Sequence, residues 1–455
     1  MPFRVISLTS EVIYHKIIYV LKNMSKGSEK LKFRTFVNKA CTNFVRVFFY
    51  WIVLLVVRAK VKKYKPKHKN FILIANHSDG LDPIYITCSL KRYIRFVAGD
   101  HTILDPWSKF FFKTLSGWII KGRDNPASVL FKDMKASADE GVPTGIFVEG
   151  TITPNGETGF FSPRTGQFVK DLGIPLITYR IKGGFFHTPR WGTGLRRGPI
   201  RGRVMGEYSV EELNNMTGEE VNEIIKRDIY VNAYEEQRKK PLIYKGKNLA
   251  EHVERVLYVC PYCEQVGTMH SKGNYLTCEC GYQVEFGRDG FFHPSQKELV
   301  FDNILDWDKW QKPVWKQKVL YTPEKELIFQ EKDQIAYTMI KGKRVELSDD
   351  AVLNLYKDRF ELYLNPKQTV VMPIEKLKLV LNVSVQSLMF IDDEHFLYVK
   401  SKSPTAAAKY VAAWRYLIGK DYKQKIAEDL PRLFCYRLPC LFSFFISGQF
   451  FWFDH

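Results

Sequence analysis

Hydrophobic residues along the first half of the chain follow a pattern of short, continuous apolar runs. Such runs are typical of strands that are buried on both faces of a sheet. They occur at Phe71–Ala75, Gly145–Val148 and Ile174–Tyr179. After the first run, Asp82-Pro83 opens a helix with Asp82 as its N-cap. Strands that alternate with helices predict an α/β domain with a mostly parallel sheet over residues 70–245, closed by a helix at Glu219–Gln237.

A different apolar pattern precedes this domain. The stretch Phe44–Val57 is 14 residues long and contains Arg46, so it is shorter than the roughly 20 residues that a bilayer core requires. A buried or interfacial helix is therefore predicted there, and an apolar stripe over Ile13–Met24 suggests a second helix. The first helix is followed by a cationic run of Arg58, Lys60, Lys62, Lys63, Lys65, Lys67 and Lys69. An apolar helix beside such a run favours attraction to anionic cytoplasmic headgroups, and the alternative is a core helix followed by a solvated loop.

The second half of the chain carries β-type patterns, with one helix at about Pro404–Ile418. A small β-rich domain closed by a helix is predicted over residues 300–420, similar in fold to a pleckstrin-homology domain. Residues 430–455 form an apolar aromatic tail that either lies in a membrane interface or is a buried extension. The predicted strands are Trp315–Tyr321, Leu327–Phe329, Phe360–Leu364, Thr369–Met372, Leu377–Val383 and Phe396–Lys400.

Charge adds a constraint on partners. The chain of 455 residues has 68 Lys and Arg against 49 Asp and Glu, a formal net charge of +19. This excess favours an anionic partner, which is nucleic acid, a lipid surface or a phosphorylated substrate. Lipid or acyl donor is the favoured partner of the basic, aromatic stretch at 180–203, ahead of a merely solvated face, and nucleic acid is the least favoured. Its basic residues are Arg180, Lys182, Arg190, Arg196, Arg197, Arg201 and Arg203.

Cysteine usage points to a metal site rather than a disulfide framework. Four of the eight cysteines lie within residues 255–292, at Cys260, Cys263, Cys278 and Cys280. Two close pairs at this spacing suit tetrahedral zinc in a zinc ribbon. Because all four positions are Cys, no ligand position is left for water, so the zinc is predicted to be structural. An iron site or reduced thiols in a hairpin core are the alternatives.

Candidate chemistry begins at Asn76-His77-Ser78-Asp79-Gly80-Leu81-Asp82, which follows the first predicted strand. A carboxylate bonded to one imidazole nitrogen fixes the tautomer, so that the other nitrogen can accept a proton from a substrate hydroxyl. His77 is therefore a candidate general base and Asp82 its orienting partner. The alternative is that Asp82 is only a helix cap and His77 only a loop residue.

Three further blocks follow in order: Gly122-Arg123-Asp124-Asn125, then Phe147-Val148-Glu149-Gly150-Thr151, then Ile174-Pro175-Leu176-Ile177. Together with the His77 motif, this series resembles the glycerolipid acyltransferases of the lysophosphatidic-acid type, over roughly residues 45–210. The resemblance implies that Arg123 binds the acceptor phosphate and that Glu149, Gly150 and Thr151 form an acceptor-binding block. Arg164 and Gly166 match the basic-x-Gly segment that follows that block in the family.

The sequence departs from the family pattern at one position that matters. The family has an arginine after Glu-Gly-Thr, whereas this chain has Ile152. One cationic contact to the acceptor phosphate is missing unless another basic residue supplies it, so the acceptor headgroup is left open. A lysophospholipid, glycerol 3-phosphate, or another lipid alcohol or amine would each be compatible.

The prediction for the whole chain is an acyltransferase of phospholipid synthesis that uses acyl-CoA or an acyl-carrier protein as co-substrate. Residues 1–69 are expected to hold it, as a monotopic or peripheral protein, on the cytoplasmic face of a membrane. No secretory signal is expected, because charged residues interrupt any apolar stretch at the N-terminus. The rival hypothesis is a non-catalytic, membrane-tethered zinc-ribbon binding protein.

Overall fold

The computed structural model describes residues 28–99, 108–122, 127–340 and 343–419. Three sequence predictions fall outside these ranges. They are the helix over Ile13–Met24, the phosphate-binding role of Arg123 and the apolar tail at 430–455.

The described chain begins with a long helix. Helix α1 (Ser28–Val45) continues through a π-helical turn (Arg46–Tyr50) into α2 (Trp51–Val56). The start of this helix is tied to the following domain, because Arg95 donates a hydrogen bond to Thr35 (2.6 Å) and pairs with Glu140 (2.8 Å). Its apolar part is not covered: from Lys32 to Val56 the mean hydropathy of the most apolar window is 1.5, and none of that window is buried. The apolar helix is therefore exposed rather than part of a core.

A seven-stranded mixed sheet follows. Its strands are β1 (Ala59–Val61), β2 (Ile72–Ala75), β3 (Arg95–Gly99), β4 (Ile119–Lys121), β5 (Thr144–Phe147), β6 (Leu176–Lys182) and β7 (Ile200–Tyr208). Their order is β1-β7-β6-β2-β5-β3-β4. Only the β6–β7 pair is antiparallel among these neighbours. The α/β class and the mostly parallel sheet are as predicted.

Helices cover both faces of this sheet, which explains the continuous apolar run of β2. Leu73 and Ala75 pack into one core with Tyr85, whereas Ile72 and Ile74 pack into another with Met134. Successive side chains of a strand point to opposite faces, so a strand with two covered faces has no polar positions. The helices are α3 (Asp82–Leu90), a π-helix (Lys109–Leu115), α4 (Ala127–Asp139), α5 (Thr165–Leu172), α6 (Gly184–His187), α7 (Val210–Asn214), α8 (Gly218–Ile229) and α9 (Ala233–Lys239).

The single helix predicted at Glu219–Gln237 is wrong, because α8 and α9 are separate. Tyr230 is extended at the end of α8. The Asn232 side chain then accepts hydrogen bonds from the N–H groups of Tyr234 and Glu235. This N-cap starts a new helix, and an extended residue with a cap interrupts an otherwise helical pattern.

The cysteine segment forms a four-stranded antiparallel sheet of β8 (Met269–Lys272), β9 (Tyr275–Cys278), β10 (Gln283–Phe286) and β11 (Phe292–Pro294). This sheet is not packed independently of the α/β region. Phe185, Phe186 and Trp191 of the α/β region share one hydrophobic core with Tyr282 and Phe286 of the cysteine segment.

A β-rich region follows a connecting helix, α10 (Ile304–Tyr321). Its strands are β12 (Phe329–Ile340), β13 (Lys343–Leu355), β14 (Arg359–Asn365), β15 (Gln368–Pro373), β16 (Leu379–Ser384), β17 (Ser387–Ile391) and β18 (Phe396–Ser401). They form an antiparallel sheet in the order β15-β14-β13-β12-β18-β17-β16. Helix α11 (Ala408–Leu417) packs into the same core, which contains Tyr410 and Trp414. The β-rich region and its following helix are present as expected.

The strand predicted at Trp315–Tyr321 is wrong, because these residues complete α10. The Asn303 side chain caps this helix by accepting the N–H of Asp306 (2.9 Å). Trp307, Trp315 and Val319 are buried on one face. Aromatic and β-branched residues in a short window resemble a strand, and only the burial of positions four residues apart distinguishes the helix.

Candidate active site

The site lies where three neighbouring strands of the mixed sheet end. Strands β5 and β6 flank β2 and run parallel to it, so that Ala75 is level with Phe147 on one side and Tyr179 on the other. Because parallel strands end at the same edge, the residues that follow them meet there. His77 follows β2, Glu149 follows β5, and Gly183 and Gly184 follow β6.

His77 and Asp82 form a hydrogen-bonded pair across the turn from β2 to α3. His77 Nδ1 lies 3.0 Å from Asp82 Oδ2. The imidazole also stacks on Phe147, with ring centroids 4.3 Å apart and planes inclined by 19°. The His77 side chain is 20% exposed, whereas Asp82 is fully buried. The ring is thus held at Nδ1 and on one face while it still borders the cleft at the strand ends.

Asp82 does more than orient the imidazole. Its Oδ2 also accepts the backbone N–H groups of Ser78 (2.7 Å) and Asp79 (3.0 Å). Asp82 is the first residue of α3 and Leu81 is the N-cap, one residue earlier than predicted. Burial raises the pKa of Asp82, and its hydrogen bonds with His77 and Ser78 oppose that rise. Because three N–H groups converge on one oxygen, the site suits a carboxylate.

Glu149 ties two loops together through its carboxylate. Oε1 accepts the backbone N–H of His77 (2.7 Å), and Oε2 accepts that of Gly159 (2.5 Å). Burial raises the pKa of Glu149 to about 7, although the hydrogen bonds from Gly159 and His77 lower it. Glu149 therefore fixes the backbone that carries His77.

Gly150 and Thr151 form the turn after Glu149. Gly150 has a φ of 70°, in the left-handed region that favours glycine. Its N–H donates to Phe147 O at 3.1 Å. Thr151 is exposed, and its hydroxyl accepts a hydrogen bond from the Arg190 guanidinium. Two residues further on, the N–H of Thr153 donates to His77 O (3.0 Å), so this turn wraps around the His77 backbone.

Arg164 and Gly166 make their contacts elsewhere, at the start of α5. Arg164 is the exposed N-cap residue of α5. A Cβ on Gly166 would lie 1.9 Å from the carbonyl oxygen of Gly218 at the start of α8. Gly166 thus permits close packing of two helices, and no contact in the described chain joins it to His77.

A second histidine and aspartate pair, not anticipated from the sequence, lies beneath the motif. Asp79 Oδ2 lies 2.5 Å from His187 Nδ1 and accepts the Tyr85 hydroxyl at 3.1 Å. His187 is fully buried. A Cβ on Gly184 would come within 2.2 Å of Ser78 Oγ, so the β6 end packs directly against the motif. Only the parallel pairing of β2 and β6 brings these distant residues together, and no local pattern indicates it.

The C-terminal half of the chain touches the loop that follows Thr151. Asn155 donates to Asp308 of α10 at 2.7 Å. Glu157 pairs with Lys309 of the same helix at 2.9 Å. The loop after Thr151 is therefore held from both sides, by Glu149 within the α/β region and by α10 outside it.

The four predicted metal ligands converge. The sulfur atoms of Cys260, Cys263, Cys278 and Cys280 all lie within 4.8 Å of one another. Cys260 and Cys280 are 3.9 Å apart, and Cys263 and Cys278 are 3.7 Å apart. Four thiolates around zinc at about 2.3 Å would lie about 3.8 Å from each other in a regular tetrahedron. Burial raises the pKa of the Cys260 thiol, so a cation is needed to favour its thiolate. The four residues can hold a metal ion.

A comparison with family models agrees with the motif assignment. Residues 56–182 match a family model described as Acyltransferase. Among solved structures, the 1-acyl-sn-glycerophosphate (LPA) acyltransferase PlsC from Thermotoga maritima is similar, with 18% identity over 50% of this chain and 89% of that chain and a TM-score of 0.38. The Vps36 N-terminal PH domain is similar with 12% identity over 21% of this chain and 80% of that chain, and a TM-score of 0.18. A search of curated proteins gives no match. Residues 56–182, which carry the His77 motif, therefore match the acyltransferase family, as the glycerolipid acyltransferase motifs in the sequence predicted.

Proposed function

We propose that this protein transfers a fatty acyl group from a thioester donor to the hydroxyl of a glycerol-phosphate-type lipid acceptor, as a step of phospholipid synthesis. The donor is acyl-CoA or an acyl-carrier protein. The observation that carries the proposal is the His77–Asp82 pair at the strand ends, with Nδ1 held at 3.0 Å and the ring stacked on Phe147. The acyltransferase-family match over residues 56–182 supports the reaction class.

The geometry suits direct transfer without an acyl-enzyme. With Nδ1–H donated to Asp82, the neutral imidazole has its lone pair on Nε2. Nε2 of His77 takes the proton of the acceptor hydroxyl while the hydroxyl oxygen attacks the thioester carbonyl carbon. The C–S bond then breaks, and the imidazolium returns the proton to the departing thiolate, so that the products are an ester and a free thiol. Asp82 stabilises the imidazolium between these steps.

Membrane attachment is the second part of the proposal. The helix from Lys32 to Val56 has 25 residues, about 37 Å at 1.5 Å per residue, and most apolar side chains of its second half are exposed. Such a surface is unusual on a soluble monomer and suits lipid contact. With the lysine-rich flank after it, we propose a cytoplasmic-face, monotopic or peripheral location. The exposed apolar residues are Phe44, Val47, Phe48, Phe49, Trp51, Ile52, Leu55 and Val56.

We also propose that the four cysteines bind a structural zinc ion. Sulfur separations of 3.7 and 3.9 Å are close to the tetrahedral value, and all four ligand positions are thiols. The zinc would stabilise the antiparallel sheet β8–β11. The proposed domain division is 1–69, 70–245, 255–292, 300–420 and 430–455.

The test is acyl transfer by the full-length protein in mixed micelles with oleoyl-CoA and lysophosphatidate, measured as free thiol release and as phosphatidate formed. Loss of the general base should lower kcat by about 10²–10⁴-fold in His77→Ala. His270→Ala is a matched control, because this histidine is exposed in the cysteine segment. Undiminished transfer by folded His77→Ala would exclude His77 as the base. Native protein that consumes no thioester with any lysolipid would favour the binding-protein hypothesis.

A further inference from the structure

The turn after Glu149 has a basic side chain next to it, although the residue that follows Thr151 is Ile152. Arg190 reaches this turn from the loop after α6, and its Nη1 donates to Thr151 Oγ1. No carboxylate in the described ranges pairs with Arg190, and the Thr151 contact is its one side-chain hydrogen bond there. A guanidinium has five N–H donors in a planar fork. Most of the donors of this half-buried cation thus have no acceptor among the described residues.

Three other basic residues of the same stretch already have protein partners. Arg180 donates to the backbone carbonyls of Arg227 and Asp228 at 2.6 Å each. Lys182 pairs with Glu236 at 2.7 Å. Arg196 is buried and donates to Leu249 O at 2.6 Å. These three side chains stabilise the fold, so the basic stretch is neither one solvated face nor one binding surface. Arg190 differs from them in its unused donors, and it differs in being half-buried beside Thr151 from the exposed remainder of the stretch, which is Arg197, Arg201 and Arg203.

Arg190 is connected to the His77 backbone through the turn that contains Thr151. Thr151 lies between Glu149, which accepts the N–H of His77, and Thr153, which donates to its carbonyl oxygen. The guanidinium is therefore attached to the turn that encloses the His77 backbone. Burial lowers the pKa of Arg190, which indicates a cation that gains free energy when an anion neutralises it.

Trp191, the residue after Arg190, packs into the cysteine segment. Trp191 is fully buried, and its ring meets Phe286 of β10 edge to face at 5.6 Å. The Arg196 guanidinium lies 4.7 Å from the Trp191 ring centroid. Arg255 Nη1 donates to the Trp191 carbonyl oxygen at 3.2 Å. The cysteine segment therefore fixes the backbone from which Arg190 extends.

We propose that Arg190 binds the phosphate of the lipid acceptor and supplies the cation that Ile152 does not. This inference rests on the proposed acyl transfer. It also gives the cysteine segment a part in the site, because the core around Trp191 positions Arg190. The bidentate geometry of a guanidinium matches two phosphate oxygens, which a lysine cannot reproduce.

The experiment compares native protein, Arg190→Gln and Arg190→Lys with two acceptors of the same acyl chain, lysophosphatidate and monoacylglycerol. Loss of a hydrogen-bonded charge contact of about 1.5–3 kcal/mol corresponds to a KM for lysophosphatidate that is about 10–150-fold higher in Arg190→Gln. We expect kcat to change little, Arg190→Lys to recover only part of the KM, and transfer to monoacylglycerol to be unaffected. Arg288→Gln is the matched control, because Arg288 is exposed in the cysteine segment.

Several results would overturn the inference. An unchanged KM for lysophosphatidate in Arg190→Gln would do so, and so would an equal loss with both acceptors, which indicates a structural role only. A native enzyme that uses monoacylglycerol alone would also refute it. If native protein transfers no acyl group at all, the proposed function fails, and calorimetric binding of glycerol 3-phosphate decides the inference separately. Binding to native protein that is lost in Arg190→Gln supports the anion site, and equal binding refutes it.

Discussion

Replacement of Asp82 by asparagine would separate the charge of this side chain from its hydrogen bonds. In the native protein, His77 Nδ1 and the N–H groups of Ser78 and Asp79 all lie within 3.0 Å of Asp82 Oδ2. The asparagine carbonyl is the one acceptor of the new side chain, so the two backbone N–H groups hold it in the Oδ2 position. The amide NH2 then takes the place of Oδ1, where Ser78 Oγ, now 3.4 Å from Oδ1, can accept from it. The imidazole keeps its tautomer and orientation, and only the negative charge is lost.

The magnitude follows from the contact distance. Opposite charges 3.0 Å apart attract by about 5 kcal/mol at an effective dielectric constant of about 20. The amide dipole retains part of this, so the barrier for transfer should rise by about 3–5 kcal/mol. At 1.36 kcal/mol per factor of ten, kcat should fall by ~10²–10⁴-fold.

The assay is steady-state thiol release from oleoyl-CoA with saturating lysophosphatidate, with thermal unfolding of each variant measured in parallel. We expect Asp82→Asn to unfold at nearly the native temperature, and Asp82→Ala to unfold at a lower temperature because it strands two buried N–H groups. Asp349→Asn, an exposed position on β13, is the control. A folded Asp82→Asn protein with the native kcat would refute the role of the carboxylate.

Three further outcomes are expected. Burial raises the pKa of Glu149 from 4.5 to about 7. Below pH 4.5 this side chain is protonated in both the folded and the unfolded protein, so its burial does not affect the pH dependence of stability. Above about pH 7 it is ionised in both, and the folded protein bears the whole unfavourable free energy of burying the charge. The free energy of unfolding should therefore decrease by at most about 3 kcal/mol from pH 4.5 to pH 7. Urea unfolding at pH 5 and pH 7.5 should show a smaller decrease for Glu149→Gln than for the native protein. An equal decrease in both proteins would contradict the raised pKa of Glu149. Gly166→Ala should destabilise the protein by about 1–3 kcal/mol, because its Cβ would lie 1.9 Å from Gly218 O; a native melting temperature would argue against this close packing. Cys278→Ser should lower bound zinc, measured by atomic emission, together with the melting temperature and the apparent affinity for lysophosphatidate; full stability without metal would show that the zinc is not structural.

The sequence was most informative where function or packing is local. The run Phe71–Ala75 predicted a strand because both of its faces are covered, and β2 lies there. The spacing of His77 and Asp82 predicted their contact because one strand-to-helix turn brings residues five apart together. The spacing of the four cysteines likewise predicted that their sulfur atoms lie together, because two close pairs can supply the four ligands of one metal ion.

Prediction from sequence was poorer where burial decides between two periodicities. Trp315–Tyr321 has strand-like composition, yet it is helical because Trp307, Trp315 and Val319 face one core. The apolar stretch Phe44–Val57 was predicted as a helix of its own length, whereas the helix that contains it begins at Ser28. In both regions the helix also contains polar residues outside the apolar run, so the run alone does not predict the length of the helix.

The sequence by itself determined the acyltransferase motif, the class of the sheet and the candidate metal ligands, because each depends on residues near one another in the chain. Only the tertiary structure decided the use of both Glu149 oxygens by backbone N–H groups, the buried pair of Asp79 and His187, and the approach of Arg190 to Thr151. These contacts join residues 10 to 108 positions apart. They exist because parallel strands end at one edge and because the cysteine segment packs against the loop after β6, and neither relation is written in a local pattern.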